Sequence, residues 1–296
     1  MRPILCAVCL LFLLAFPARA DEMPTGWLLF PGGTYLHEGD YKTGLSFAVP
    51  EIALLTIGIT NSDRQGKQGD TPEINLPLLF SFQLYAVDKW SYYQKEMLRI
   101  KDEHPGVDVG VDPAPLKELM LAPFDPDTMS SPLVIAFALL GAADGLYGYP
   151  HNGRRFGEIS SATAMRNGMS RDTGTAYYEG MAFAASYGAG LSEELIFRGT
   201  MLPLMDYHYG QRTGLISSSL TFGLLHSFNQ GTQNREYLVA QATVAGFLFG
   251  WQVQEDDYRL KKAIAAHFWY DFVSMTATWF ANPAENPLGI QVAFGF

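Results

Sequence analysis

The sequence is poor in cysteine and in charge. Only 2 of its 296 residues are cysteine, and charged side chains make up 17% of the chain. Cys6 and Cys9 both lie near the N-terminus, so the rest of the chain offers no disulfide, thiolate nucleophile or Cys-ligated zinc site. Basic residues are the scarcer sign, 20 against 30 acidic, which argues against binding to nucleic acid. The 48% hydrophobic content excludes a disordered or collagen-like chain.

The N-terminus carries a short apolar run from Ile4 to Phe16, followed by the triplet 18–20, Ala-Arg-Ala. This run is too short to span a bilayer, and a small-x-small triplet after it is typical of a secretory signal peptide. We therefore predict a cleaved signal peptide over residues 1–20 and a mature chain that starts at Asp21.

Apolar blocks alternate with polar loops along the remaining chain, which is typical of a helical protein with several membrane spans. We predict an all-α, polytopic transmembrane bundle of about seven helices. An outer-membrane β-barrel would require apolar/polar alternation, and continuous apolar runs such as 132–141 disfavour it. Glycines within the blocks suit close helix packing in lipid. The blocks cover approximately residues 44–59, 75–88, 131–149, 175–196, 213–229, 237–253 and 263–281.

We predict two regions after the signal peptide. Residues 21–174 form an N-terminal membrane region with a polar segment near 89–130, and residues 175–296 form the core that carries the chemistry. Within the polar segment, 90–101 has a helical mix of apolar and charged positions, which favours a helix on the membrane surface, and a loop follows. Pro31-Gly32-Gly33 indicates a turn or a re-entrant hairpin. The basic residues of the loops give no consistent orientation by the positive-inside rule.

The first candidate cluster is Glu193-Glu194 with Arg198, at the end of an apolar block. Ionisable groups inside apolar helices are functional candidates because burying them is costly. Glu194 and Arg198 are four positions apart and so share a helix face, whereas Glu193 lies about 100° around the helix. We expect one braced carboxylate and one that is free to act. A buried ion pair that only orders a helix end is an equal alternative for Glu194 and Arg198.

Two further elements carry histidine. Phe222-x-x-x-His226 lies in the next block, and His267-x-x-x-Asp271 places two polar groups on one face of the last. The latter pair could bind a metal or present polar groups to a substrate. A lone histidine on an apolar helix is more often a hydrogen-bonded core residue. Between them, Gly246-x-x-x-Gly250 predicts close approach of a neighbouring helix.

Together these motifs resemble the CPBP (ABI) family of intramembrane proteases, which includes the CAAX prenyl endopeptidases. The family pattern is Glu-Glu-x-x-x-Arg, Phe-x-x-x-His, a small-residue helix and His-x-x-x-Asn/Asp, in that order. The chain follows this order over about residues 175–281, with Asp271 where many relatives have Asn.

The resemblance implies an intramembrane endopeptidase that hydrolyses a peptide bond within or at the membrane. By the same resemblance, Glu193 is the general base that activates water, and His226 helps to hold that water. Glu194 and Arg198 position the base. General-base catalysis by a positioned carboxylate is reasonable chemistry for peptide hydrolysis.

The resemblance also implies that His267 and Asp271 stabilise the tetrahedral oxyanion, where polarising groups in a water-poor site are most effective. A zinc site built from Glu193, His226, His267 and Asp271 is the alternative. The His-Glu-x-x-His helix of the commonest zinc proteases is absent from the sequence. We expect a metal-independent glutamate mechanism that needs no cofactor.

The expected partners are a peptide or membrane-protein substrate and the lipid bilayer, with no nucleic acid. The expected location is the bacterial cytoplasmic (inner) membrane, crossed several times. Two other functions stay open: a non-catalytic family member that acts as a scaffold or binds a partner, and a transporter. Glu51, Asp144 and Glu179 have no motif around them, and we expect them to be packing or cavity groups.

Overall fold

A computed structural model describes residues 25–68, 76–106, 109–147, 170–228 and 235–281. This part of the chain is all-helical and contains no strand, as predicted. The expected signal peptide, residues 1–20, lies outside the described residues. The α-helices are α1 Thr25–Leu29, α2 Gly33–His37, α3 Tyr41–Gln68, α4 Leu76–Glu103, α5 Leu116–Leu121, α6 Pro126–Met129, α7 Pro132–Tyr147, α8 Arg171–Ile196, α9 Leu202–Tyr209, α10 Gln211–Leu225, α11 Arg235–Glu255 and α12 Lys261–Ala281.

Each predicted apolar block coincides with one of the longer helices, namely α3, α4, α7, α8, α10, α11 and α12. Among the described residues, the stretch Tyr41–Thr60 of α3 is the one candidate span that is both long and apolar enough to cross a membrane by itself. Pro132–Tyr147 is a shorter apolar helix. Membrane crossing by the other helices therefore stays a prediction.

The stretch 90–101 is not a separate surface helix, so that interpretation is wrong. It continues α4, which is 28 residues long. Trp90, Tyr93 and Met97 are buried, and Val109 of the following loop packs with Tyr93 and Met97. The amphipathic pattern is real, but its apolar face meets protein.

The stretch that follows was expected to be a loop, which holds for residues 109–115, whereas helical turns form from Leu116 onward. The helices α5 and α6 flank a 3₁₀ turn, Ala122–Phe124. The Tyr187 hydroxyl donates a hydrogen bond to the Met120 carbonyl over 3.0 Å, and Trp269 Nε1 donates to the Pro123 carbonyl over 2.9 Å. These bonds satisfy carbonyls at helix ends and attach the segment to α8 and α12.

The turn expected at Pro31–Gly33 is present between α1 and α2. Gly32 adopts a φ of 63°, which suits glycine, and its N–H donates to Asp88 Oδ2 over 2.9 Å. Lys89 Nζ donates to the Phe30 carbonyl over 2.9 Å and pairs with Asp88 over 2.8 Å. A buried ion pair on α4 thus fastens the first two helices to the bundle.

Glycines allow close packing of α7 on α12. A Cβ added at Gly141 would lie 2.3 Å from the Tyr270 carbonyl oxygen, and one at Gly145 would lie 2.4 Å from that of Ser274. The two backbones are therefore in direct contact along this four-residue repeat.

The predicted small-residue stripe on α11 packs against α10. A Cβ added at Gly246 would lie 3.2 Å from the Cα of Ser219, and one at Gly250 would lie 2.7 Å from Leu215 Cδ1. The expectation of close helix approach at this stripe is confirmed. It brings α11 to the helix that ends at His226.

Candidate active site

A fully buried ion pair lies at the centre of the candidate site. Arg198 Nη1 donates to Glu194 Oε1 over 3.0 Å, and both side chains are 0% exposed. His267 Nδ1 donates to the same oxygen over 2.8 Å. The pairing predicted from the i, i+4 spacing is present, and it also anchors a ring from α12. Charge-assisted hydrogen bonds of this kind are among the stronger ones in proteins.

Arg198 lies in a π-helical turn, Phe197–Met201, which follows α8 directly. Pro203 is the second residue of the next helix, α9, and has no N–H to donate to the carbonyl of Gly199, four residues earlier. The hydrogen-bond ladder is loosened there, and the Thr200 hydroxyl donates to a carbonyl five residues back. Single π turns are frequent at functional sites. The sequence signal for this turn was the proline.

Aromatic rings surround the Arg198 guanidinium. Its Cζ lies 4.1 Å from the Phe222 ring centroid and 5.4 Å from that of Phe249. Nε and Nη2 have no hydrogen-bond partner in the described part of the chain. A Cβ added at Gly246 would lie 3.2 Å from Nη2. The phenylalanine of the Phe-x-x-x-His motif and the first glycine of the stripe therefore form the surroundings of this arginine, with cation–π attraction.

Glu193 differs from its neighbour in exposure. Its side chain is 19% exposed, whereas that of Glu194 is fully buried. Oε2 of Glu193 has no hydrogen-bond partner among the described residues and lies 3.9 Å from His267 Nε2. Its carboxylate interacts electrostatically with His226, His267, Asp271 and Glu194. One carboxylate is braced and the other is available, as the spacing predicted.

His267 is held at one nitrogen and open at the other. Because Nδ1 donates to Glu194, the ring turns Nε2 toward Asp271 Oδ2 at 3.5 Å and Glu193 Oε2 at 3.9 Å. The ring also stacks on Phe249, with centroids 5.7 Å apart. Neither Nε2 separation is a short hydrogen bond.

His226 begins a 3₁₀ turn at the end of α10. Its Nδ1 donates to the Phe222 carbonyl over 2.8 Å, which satisfies one of the free carbonyls of the helix end. In the neutral ring this bond assigns the proton to Nδ1 and leaves a lone pair on Nε2. His226 is thus a hydrogen-bonded residue that also interacts electrostatically with Glu193.

The family comparison agrees with this geometry. Residues 177–273 match a family model described as type II CAAX prenyl endopeptidase Rce1-like. Residues 177–273, about a third of the chain, are similar to the Rce1-like family and are called the Rce1-like domain. This match confirms the resemblance drawn from the motifs. The family is membranous. Comparison with curated proteins gave no match, and neither did comparison with solved structures.

The Rce1-like domain begins within α8 and ends within α12. All the sequence-predicted site residues lie in it, and the structure gathers them from the end of α8, the π turn, the end of α10 and the middle of α12. The domain boundary expected between 174 and 175 stays a prediction. The gathered residues are Glu193, Glu194, Arg198, His226, His267 and Asp271.

Among the described residues, no group of three or more His, Asp and Glu side chains is placed to hold a metal ion. His226 and His267 each use Nδ1 for a hydrogen bond within the protein.

Two features near the site were missed from the sequence. Phe249 contacts both the arginine and the His267 ring, but an apolar residue in an apolar helix gives no distinguishing signal. The second is a hydrogen-bond chain that reaches α12 from Asp144, outside the Rce1-like domain. By contrast, Glu179 accepts a hydrogen bond from Thr276 over 2.7 Å, as expected for a packing group.

Proposed function

We propose that the protein is an intramembrane endopeptidase that hydrolyses a peptide bond at or within the membrane. The observation that carries this proposal is the division between two neighbouring acids. Glu194 is fully buried and receives hydrogen bonds from Arg198 and His267 at Oε1, whereas the Glu193 side chain is 19% exposed. Water can reach Glu193 but not Glu194, which supports Glu193 as the general base.

In this mechanism the attacking water lies between Glu193 and Nε2 of His226. Both groups accept hydrogen bonds, so they direct the two water hydrogens away from the substrate and leave an oxygen lone pair for the carbonyl carbon. Glu193 takes one proton as the new C–O bond forms. The carbonyl oxygen becomes the oxyanion of a tetrahedral intermediate.

The oxyanion is stabilised by Nε2 of His267. In its doubly protonated form, the ring donates Nδ1–H to Glu194 and Nε2–H to the oxyanion. An ionised Asp271 has no proton to donate, so we assign it to orienting Nε2 and offsetting the charge of the ring rather than to binding the oxyanion directly.

The buried ion pair of Glu194 and Arg198 positions the general base, Glu193. Glu194 cannot turn toward the water because one of its oxygens receives two hydrogen bonds. As the intermediate collapses, Glu193 returns its proton to the leaving nitrogen, and the C–N bond breaks. The products are a carboxylic acid and an amine, and the transfer of the acid's proton to the amine gives a carboxylate and an ammonium ion. We propose this route without a metal, since the described residues arrange no metal-binding group.

We propose that the substrate is a peptide or membrane protein and that the enzyme is a multi-pass protein of the bacterial cytoplasmic membrane. The membranous Rce1-like family supports the membrane setting, as does the apolar stretch Tyr41–Thr60. The predicted blocks would then cross or enter the bilayer.

A cleavage assay with identified products tests the proposal. The protein is reconstituted in liposomes with a panel of transmembrane peptides, and mass spectrometry identifies the bonds that are cut. We expect cleavage by wild type and losses of about 10²–10⁴-fold in Glu193→Ala and His226→Ala. Glu179→Gln, a change to a packing carboxylate on the same helix, is the matched control and should cleave like wild type. Equal processing by all variants would exclude the mechanism, and no processing by wild type would favour the scaffold function.

A further inference from the structure

Helix α7 precedes the Rce1-like domain in the chain but lies directly against the helix that carries His267. Gly141 and Gly145 bring its backbone into contact with the carbonyls of Tyr270 and Ser274. Small residues permit close approach, but they offer no side chain that would oppose rotation or sliding of one helix on the other. On the side of α12 that faces α7, a polar contact can oppose this motion.

Asp144 supplies such a contact from between the two glycines. The Tyr270 hydroxyl donates to Asp144 Oδ2 over 3.2 Å, and the Ser274 hydroxyl donates to the same oxygen over 3.3 Å. Gln241 of α11 in turn donates through Nε2 to the Tyr270 hydroxyl. One phenol oxygen therefore joins α7, α11 and α12. This half-buried hydrogen-bond chain constrains how the three helices are arranged.

The same tyrosine adjoins the candidate active site, because Tyr270 directly precedes Asp271 in the chain. Phe137 of α7 packs on the Tyr270 ring at 6.2 Å and on the Phe249 ring at 4.5 Å. Phe249 stacks on His267 in turn. Helix α7 therefore packs against Tyr270, the neighbour of Asp271, and against Phe249, which contacts His267.

We propose that Asp144 and Tyr270 are positioning residues, which hold α12 in the rotation that presents His267 and Asp271 to Glu193. This inference rests on the proposed peptidase function and extends it to a helix outside the Rce1-like domain. It gives Asp144 a role beyond packing: its carboxylate acts on the reaction only through Tyr270 and the backbone of α12.

Steady-state kinetics of Asp144→Ala, Asp144→Asn and Tyr270→Phe test the proposal. Alanine removes the acceptor and phenylalanine removes the hydroxyl, so both should lower kcat by about 10- to 100-fold with KM unchanged. Asparagine keeps an acceptor oxygen for Tyr270 and should restore kcat to near the wild-type value. Thr276→Val removes a hydrogen bond elsewhere on α12 and should leave kcat unchanged. Unchanged kcat in Asp144→Ala and Tyr270→Phe, or no rescue by asparagine, would overturn the proposal.

A spectroscopic measurement separates this proposal from the peptidase function. In protein labelled with ¹⁵N-histidine, the hydrogen-bonded Nδ1 of His267 has its own resonance, assigned by its loss in His267→Gln. We expect this resonance to shift in Asp144→Ala and Tyr270→Phe but not in Asp144→Asn or Thr276→Val. An unmoved resonance overturns the positioning role, whatever the activity. If the resonance shifts in Asp144→Ala and Tyr270→Phe but the wild-type protein cleaves no peptide, the peptidase function alone is overturned.

Discussion

His267 Nδ1 and Glu194 Oε1 lie 2.8 Å apart, which links the middle of α12 to the end of α8. The same carboxylate oxygen receives Arg198, so a single buried atom sets the place of a cation and of a ring. This contact divides the adjacent acids by task. Glu194 holds the site together, and its neighbour remains open to water.

Loss of the Glu194 charge should cost stability. In Glu194→Gln the Arg198 guanidinium stays buried without a counter-charge, a situation that typically costs about 3–5 kcal/mol. Oε2 of Glu193 has no hydrogen-bond partner among the described residues. We therefore expect Glu193→Gln to lose much less unfolding free energy than Glu194→Gln. Thermal and denaturant unfolding in detergent measure both. Equal stability of the two variants would contradict the claim that Glu194 stabilises the fold by pairing with the buried Arg198.

Gly246→Ala should disturb the surroundings of Arg198. The new Cβ would lie 3.2 Å from Arg198 Nη2 and from the Cα of Ser219, and that backbone cannot move aside easily. We expect a loss of about 1–3 kcal/mol in unfolding free energy, together with lower activity. Gly250→Ala is the matched control because its Cβ meets the end of the flexible Leu215 side chain. A larger loss of unfolding free energy in Gly250→Ala than in Gly246→Ala would contradict this prediction.

Burial should decide the value of two lysine ion pairs on α4. Lys89 is 3% exposed and pairs with the buried Asp88, so Lys89→Met strands a charge and should cost about 3–5 kcal/mol. Lys95 pairs with Glu38 at the surface, and Lys95→Met should cost about 0–1 kcal/mol. Denaturant titration of both variants provides the comparison. Similar costs would show that the N-terminal helices are not fastened through Asp88.

Chelation should leave proteolysis unchanged. The described residues arrange no metal-binding group, and the proposed mechanism assigns every proton transfer to Glu193. Dialysis against a strong zinc chelator, followed by the cleavage assay, should therefore return wild-type rates. A loss of activity that added zinc restores would replace the glutamate mechanism with a metal-dependent one.

The helices and the polar cluster could be predicted because their signals are local. Long apolar blocks predicted the main helices, and the spacing of Glu194 and Arg198 placed both on one helix face. The convergence of this pair with His267 came from the ordered motifs, since spacing within one helix carries no information about another. The structure supplied the atom that joins them.

Other features depend on contacts between distant residues, and the sequence does not determine these. An amphipathic stretch such as 90–101 does not indicate whether its apolar face meets lipid or protein, and it meets protein. Asp144 has no local motif, because its partners Tyr270 and Ser274 come from a helix more than a hundred residues later. The π turn at Arg198 had a signal in Pro203, but proline there also fits an ordinary helix start.

The central claim, that Glu193 activates the attacking water, is tested most directly by single-turnover cleavage of a transmembrane peptide by Glu193→Gln beside wild type. The glutamine has the size of glutamate but cannot accept the proton. The account predicts a cleavage rate about 10²–10⁴-fold lower, with unchanged thermal unfolding. Cleavage by Glu193→Gln at the wild-type rate would contradict it.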